Sequence, residues 1–370
     1  MKRHGTIDLP LHYGRAPRWL FQRMVRLAGA ILEAIVVELG PQEALRRLQD
    51  PLWFQAFGAL LGFDWHSSGL STTTTGAIKE ALRQRNLGLL AAGGKGRTSR
   101  KTPLEIRRYA ERYGFAPEPL EYASRMVAKV DSAALQDGYE LYHHVMIFTP
   151  QGQWVVIQQG MNPRTRYARR YHWSSEGLES FVVEPHRGIA AQRRERAVLN
   201  LVARESLATQ RTIVDLVHEP PERILREYQR HLRLPARHPV YREDIRPENL
   251  YRTLLKTYER VPENFERLLG IAGVGARTIR ALSMVADLIY GARPSYQDPA
   301  LYSFAHGGKD GFPYPVNRRV YERSIDVVER AIRMARLGRR ETFHALRRLS
   351  ELFSAEPPAS SAKETGGATP

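Results

Sequence analysis

The chain has 370 residues, 42% of them hydrophobic, which is enough apolar material for a real core and, by the length prior, for two or three domains. Its 56 Lys and Arg against 39 Asp and Glu leave a formal charge of +17, and 48 of those cations are Arg, so a polyanion leads the possible partners; an arginine bias of a thermophilic source is the bland alternative. The absence of cysteine excludes a disulfide scaffold, thiol catalysis and every Cys-ligated cluster or zinc site, leaving His and carboxylates for any metal.

No apolar stretch is long enough to span a membrane and Met1 to Leu20 lacks the core of a signal peptide, so a soluble, cytoplasmic protein with no membrane partner is expected. Pro17 opens an amphipathic helix that runs to Leu39 and is stopped by Gly40, with Pro41 starting the next helix. Pro51 to Leu61 is apolar all round and reads as an interior helix. Gly62 to Gly69 reads as strand or loop, Thr72 to Thr75 as a turn, and Gly76 to Leu82 as a helix. Gly93-Gly-Lys-Gly-Arg-Thr-Ser-Arg-Lys101 is Gly-rich and basic, and an exposed, mobile loop is expected there.

The clearest β signal lies in the middle. Tyr139 to Thr149 and Gln153 to Gln159 flank Thr149-Pro-Gln-Gly152, a type I turn pattern, and predict an antiparallel hairpin. Val145 and Ile147 point one way and Met146 and Phe148 the other, so both faces should be covered. Ser180 to Glu184 is a candidate third strand; from Ile189 onward helices are expected, through Arg223 to Leu234, Leu250 to Tyr258 and Arg319 to Leu337. The fold class is therefore α+β and predominantly helical. The expected division is a helical N-terminal region over 1–115, a small β-sheet region over 116–188, a helical DNA-binding domain over 189–355 and a disordered tail over 356–370.

Leu269-Gly-Ile-Ala-Gly-Val-Gly-Ala-Arg-Thr-Ile-Arg-Ala-Leu282 resembles a helix-hairpin-helix element. Gly273 and Gly275 permit a tight turn with the backbone close to a partner, the amides opening the following helix form a phosphate nest, and Arg277 and Arg280 add charge beside it. The resemblance implies a grip on the DNA backbone without sequence reading. Some helix-hairpin-helix proteins are base-excision glycosylases with an aspartate downstream, and Asp298 stands 23 residues after Gly275. Asp298-Pro299 is also a helix N-cap pattern, and a cap is the preferred reading, tolerant of Asn. Arg277 occupies the position of the Schiff-base lysine of bifunctional glycosylases, which argues against lyase chemistry. The text Gly5-Thr-Ile-Asp-Leu-Pro-Leu-His-Tyr-Gly-Arg-Ala-Pro-Arg-Trp-Leu20, Gly62-Phe-Asp-Trp-His-Ser-Ser-Gly69 and Gly93-Gly-Lys-Gly96 resembles an uncharacterised family of archaea and thermophilic bacteria, which implies no activity.

Asp64 and His66 sit two apart, with Glu80 on the following helix and Lys95 and Lys101 in the basic loop. Carboxylates that hold Mg²⁺ or Mn²⁺, and lysines that stabilise phosphate charge, are the parts of a metal-dependent nuclease, with Asp64, His66 and Glu80 as its metal set. The bland reading has Asp64 capping a turn and His66 satisfied in the interior. Asp137, Glu140, His143, His144, Gln158 and Gln159 flank the hairpin, but Gln replaces the expected acid and the lysine is missing, so core packing is preferred there. Arg164-Thr-Arg-Tyr-Ala-Arg-Arg-Tyr-His-Trp173 interleaves Arg166, Arg169 and Arg170 with Tyr167, Tyr171 and Trp173, a composition suited to backbone pairing and base stacking on single-stranded or distorted DNA. A DNA-binding, metal-dependent nuclease of repair or recombination is expected, open to homo-oligomerisation; a non-enzymatic DNA-binding protein and a glycosylase are the alternatives.

Overall fold

A computed structural model describes residues 16–62, 68–191, 194–230 and 247–300. It is α+β and mainly helical, with an antiparallel sheet in the middle and helices before and after it. Helix α1 (Arg18–Leu39) follows Pro17 and ends at Gly40, whose φ of +85° turns the chain into α2 (Pro41–Leu48), as the Pro and Gly signals predict. Asp50 caps α3 (Pro51–Leu60) by accepting hydrogen bonds from the amides of Leu52 and Trp53.

Helix α4 (Gly69–Gln84) corrects the expected Thr72–Thr75 turn. The hydroxyls of Thr72 and Thr75 donate back to the carbonyls of Gly69 and Ser71, so these two threonines satisfy themselves within the helix instead of breaking it. The next correction is larger. Leu90–Lys95 forms strand β1 and Gly96–Lys101 a short, exposed 3-10 helix, where a loop was expected. Gly93 is required there: its φ is +101°, and a Cβ would lie 2.2 Å from the His144 carbonyl oxygen of the neighbouring strand.

Helices α5 (Thr102–Tyr113) and α6 (Glu118–Lys129) lead through a π-helical turn at Val130–Ala134 to the short strand β2 (Leu135–Gln136). Strands β3 (Glu140–Phe148) and β4 (Trp154–Met161) form the predicted hairpin, closed by the Gly152 amide donating to the Thr149 carbonyl. The third partner is Ala168–Ser174 (β5), not Ser180–Glu184, which is a run of bends. Strand β6 is Gly188–Ala191, so Ile189 belongs to the sheet and not to a helix. The sheet order is β1-β3-β4-β5-β6, antiparallel throughout. A second ribbon pairs β2 with β7 (Leu199–Asn200).

Alternation along β3 and β4 supplies two separate cores. Val145, Ile147, Val155 and Ile157 pack against α1 to α4, whereas Met146, Phe148, Trp154 and Val156 face the second core. That second core also takes in α6, α7 (Leu207–Val217), α8 (Pro221–Arg230), α9 (Pro247–Arg260), α10 (Phe265–Gly270) and α11 (Ala276–Tyr290). Covered on both sides, the sheet carries apolar residues on both, which is why its strands read as continuous runs. The expected Arg319–Leu337 helix and the 356–370 tail lie outside the described residues, as does the end of the expected Arg223–Leu234 helix.

Candidate functional site

The predicted sites separate into three places. At the first, α10 and α11 are joined by Ile271 to Gly275, with Ile271 and Val274 buried and Ala272 and Gly273 exposed. Apolar side chains thus anchor the turn while the glycine backbone faces outward. Gly273 adopts φ +99°, which favours glycine. Gly275 is different: its backbone is extended and a Cβ would meet nothing within 4 Å, so internal packing does not demand glycine there. The turn is held from behind by Lys129, whose ammonium donates to the Val274 carbonyl at 2.5 Å and whose pKa is lowered by burial. Arg277 is exposed; Arg280 is half-buried, and its Nε donates to Gln136 Oε1 at 2.8 Å.

At the second place the proposed metal set is only partly visible. Asp64 and His66 lie outside the described residues. Glu80 is half-exposed and pairs with Arg83 and Gln84 of its own helix. Its neighbour Lys79 is the residue that turns inward, donating to Glu105 and to the Gly93 carbonyl at 2.6 Å each. Lys95 sits over the Tyr142 ring, whose hydroxyl is hydrogen-bonded to Gln159, and Gln159 in turn donates to the Ser68 carbonyl at 2.9 Å. Lys95 therefore stands near the residue that follows the 63–67 segment, while Lys101 is exposed at the end of the 3-10 helix. Among the described residues, no three His, Asp or Glu side chains are grouped so as to hold a metal ion.

The third place overturns an expectation. The Arg-Tyr stretch is not a nucleic-acid surface: Arg169, Arg170, Tyr171 and Trp173 are fully buried in β5. Only its leading turn, with Arg164 and Arg166, is exposed. Arg170 faces the N-terminal helices and donates to His172, Gln55, Ser71 and the Pro51 carbonyl, all neutral acceptors, and burial pulls its pKa down to about 9. Arg169 faces the other way. Its guanidinium donates to Asp137 at 3.0 Å and to both oxygens of Asp298, at 3.0 and 2.6 Å. Burial opposes its charge, but the two carboxylates outweigh burial and raise the pKa from the ordinary arginine value.

Asp298 is consequently more than a cap. It does accept from the Ala300 amide, as a cap would, and also from the Glu195 amide at 2.6 Å, so each oxygen holds two donors. A carboxylate saturated in this way has no capacity left to activate water or face a sugar cation, which weighs against the glycosylase alternative. His143 and His144 are buried on opposite faces, bonded to Thr75 of α4 and Ser124 of α6, in keeping with core packing.

A cavity of about 210 Å³ lies beside this network, and Asp298 and His186 are both in its wall. His186 Nε2 is 2.5 Å from Asp131 Oδ1, while Asp131 Oδ2 accepts from Trp173 Nε1 and Gln158 Nε2. Sequence reading passed over both residues. Asp131 sits in the π-helical turn with no motif around it, and His186 falls between the strand expected at Ser180 to Glu184 and the helices expected from Ile189; the local sequence signal is Pro185 alone.

The chain belongs to the family described as protein of unknown function, DUF763, whose model matches residues 5–316. No curated protein and no solved structure matches it. No helix among the described residues is long and apolar enough to cross a membrane.

Proposed function

We propose that the protein binds DNA, gripping its backbone through the helix-hairpin-helix turn at Gly273 and Gly275 with Arg277 and Arg280 beside it. The observation that supports this reading is the turn itself: Gly273 takes a φ of +99° and Gly275 stands at the N-cap of α11, and with open space around both, the glycine backbone and the helix amides behind it are free for a phosphate to approach. A charge of +17 supplies the long-range attraction, and the helix amides beyond Gly275 supply the local one. Contact of this kind positions a protein on DNA without reading its sequence.

The test is a fluorescence-anisotropy titration of labelled duplex and single-stranded DNA over a range of salt. Arg277→Ala should weaken binding to all sequences alike and reduce the salt slope by about one unit. Gly275→Thr, which a helix N-cap accepts as readily as glycine, should lose affinity while its thermal unfolding stays near that of the wild type, because the new side chain meets only the partner. Wild-type affinity and salt slope in both variants would put the grip elsewhere.

A further inference from the structure

The basic 3-10 helix and the turn between β4 and β5 stand at one end of the sheet. Lys95, the last residue of β1, pairs with His143, so the 3-10 helix that follows lies beside the start of β3 at Glu140. Glu140 in turn pairs with Met161, the last residue of β4, where the 162–167 turn begins. Neighbouring strands are about 5 Å apart, which brings the two basic segments to within roughly 10 Å of each other along this edge. Arg97, Arg100 and Lys101 on the first and Arg164 on the second are exposed, and their side chains form no hydrogen bond or ion pair with the described residues. The carboxylates nearby are engaged elsewhere or stand apart: Glu105 is held by Lys79 and the Gly93 amide, Asp137 by Arg169 and Tyr171, and Glu140, exposed at the same end, pairs with none of the four cations. The 3-10 helix is nonetheless fixed in place. Ser99 Oγ donates to the Gly96 carbonyl at 2.6 Å, Thr102 Oγ1 donates to the Ser99 carbonyl at 2.7 Å, and the close approach of Gly93 to β3 anchors its start. Like charges fixed side by side repel one another, a cost that a bound anion removes.

We infer that this end of the sheet is a second contact for the backbone of the duplex held by the hairpin, made by Arg97, Arg100, Lys101 and Arg164. The inference rests on the DNA reading for its partner, but it uses no residue of the hairpin. Three of the four cations are arginines, whose planar fork meets phosphate oxygens in pairs, and none of them is committed to a partner in the chain. A single small anion would satisfy one of the two segments, whereas a chain of phosphates satisfies both. The surface also adjoins the hairpin. Gln136 Nε2 donates to the Ala276 carbonyl at the opening of α11, at 2.9 Å, and Gln136 stands just before the start of β3 at Glu140, a stretch that spans at most about 14 Å. Hairpin, 3-10 helix and 162–167 turn therefore fall within about one helical turn of a duplex, roughly 34 Å. Phosphate contacts at several points fix the register of a protein on DNA and carry no sequence preference, in keeping with a hairpin that grips backbone alone.

Anisotropy titrations of the full chain over a range of salt, on a labelled duplex of about two helical turns, test it. The double variant Arg97→Gln, Arg100→Gln should lower the salt slope by about two units, since each phosphate neutralised contributes about 0.9, and Arg164→Gln by about one. Thermal unfolding should stay that of the wild type in both, because these side chains hold nothing in the fold. The control is Arg252→Gln with Lys256→Gln, which removes two exposed cations of α9, away from the sheet, and should leave the slope unchanged. Adding Arg277→Ala to the Arg97, Arg100 variant should bring the loss to about three units with one duplex still bound per chain, as two contacts on the same molecule require. A slope in the Arg97, Arg100 variant no lower than in the α9 control would overturn the proposal, and so would two duplexes bound per chain. If instead Arg277→Ala keeps the wild-type slope while the Arg97, Arg100 variant loses two units, the hairpin grip falls and this surface stands.

Discussion

Arg169 joins parts of the chain that are more than a hundred residues apart, because Asp298 and Asp137 lie on either side of its buried guanidinium. Removing a partner from a buried ion pair costs about 3 kcal/mol or more, since the remaining charge stays out of water. Asp298→Asn should therefore lower unfolding stability by about 3 kcal/mol, read from denaturant midpoints, where a simple helix cap would have tolerated the amide with little loss. A midpoint equal to that of the wild type would show that Asp137 alone suffices. This is also the scale at which the sequence misleads most. Four arginines among aromatics describe a surface in composition, yet two of them are interior: Arg169 is met by a pair of carboxylates and Arg170 by neutral acceptors, all brought up by tertiary contact of which the local sequence carries no trace. The tight turn at Gly273 was legible because a positive φ is set by its own few residues.

At the scale of elements, the caps and turns were readable and the exceptions have local causes. Pro17, Gly40 and the Thr149–Gly152 turn act through their own dihedral angles, so helix and hairpin boundaries follow from them. Leu90–Lys95 escaped because two glycines weaken a strand pattern, and their purpose, the close approach of β1 to β3, is visible only once the strands are paired. Gly93→Ala should force the strands apart and cost about 2 kcal/mol or more, whereas Gly96→Ala, whose Cβ would meet nothing within 4 Å, should pay only for its positive φ. Thermal unfolding of the two variants side by side checks this; equal shifts would mean that conformational strain, and not the clash with the His144 carbonyl, governs Gly93.

For the whole molecule, burying the sheet on both faces traps histidines in neutral form. Burial lowers the pKa of His143 to about 3, and it lowers those of His144 and His172 as well, although Gln158 and Asp131 partly support His144. An unfolded histidine titrates near 6.5, so below that pH the unfolded chain takes up protons that the folded one refuses, and stability present above pH 6.5 is lost as pH falls. Each such residue should cost about 2 kcal/mol between pH 7 and pH 5. Denaturant midpoints across that range should fall steeply in the wild type and less so in His143→Gln; a flat profile would mean that the buried rings find protons in the folded state.

Strand β1 ends the N-terminal helical region, yet its hydrogen-bonding partner β3 begins only at Glu140. On the ribosome, α1 to α4 are made before the strands that cover their apolar face, because Val145, Ile147, Val155 and Ile157 are synthesised later. Helices α1 to α4 thus leave the exit tunnel with an uncovered apolar side, open to neighbouring chains until the β3–β4 hairpin emerges to close it.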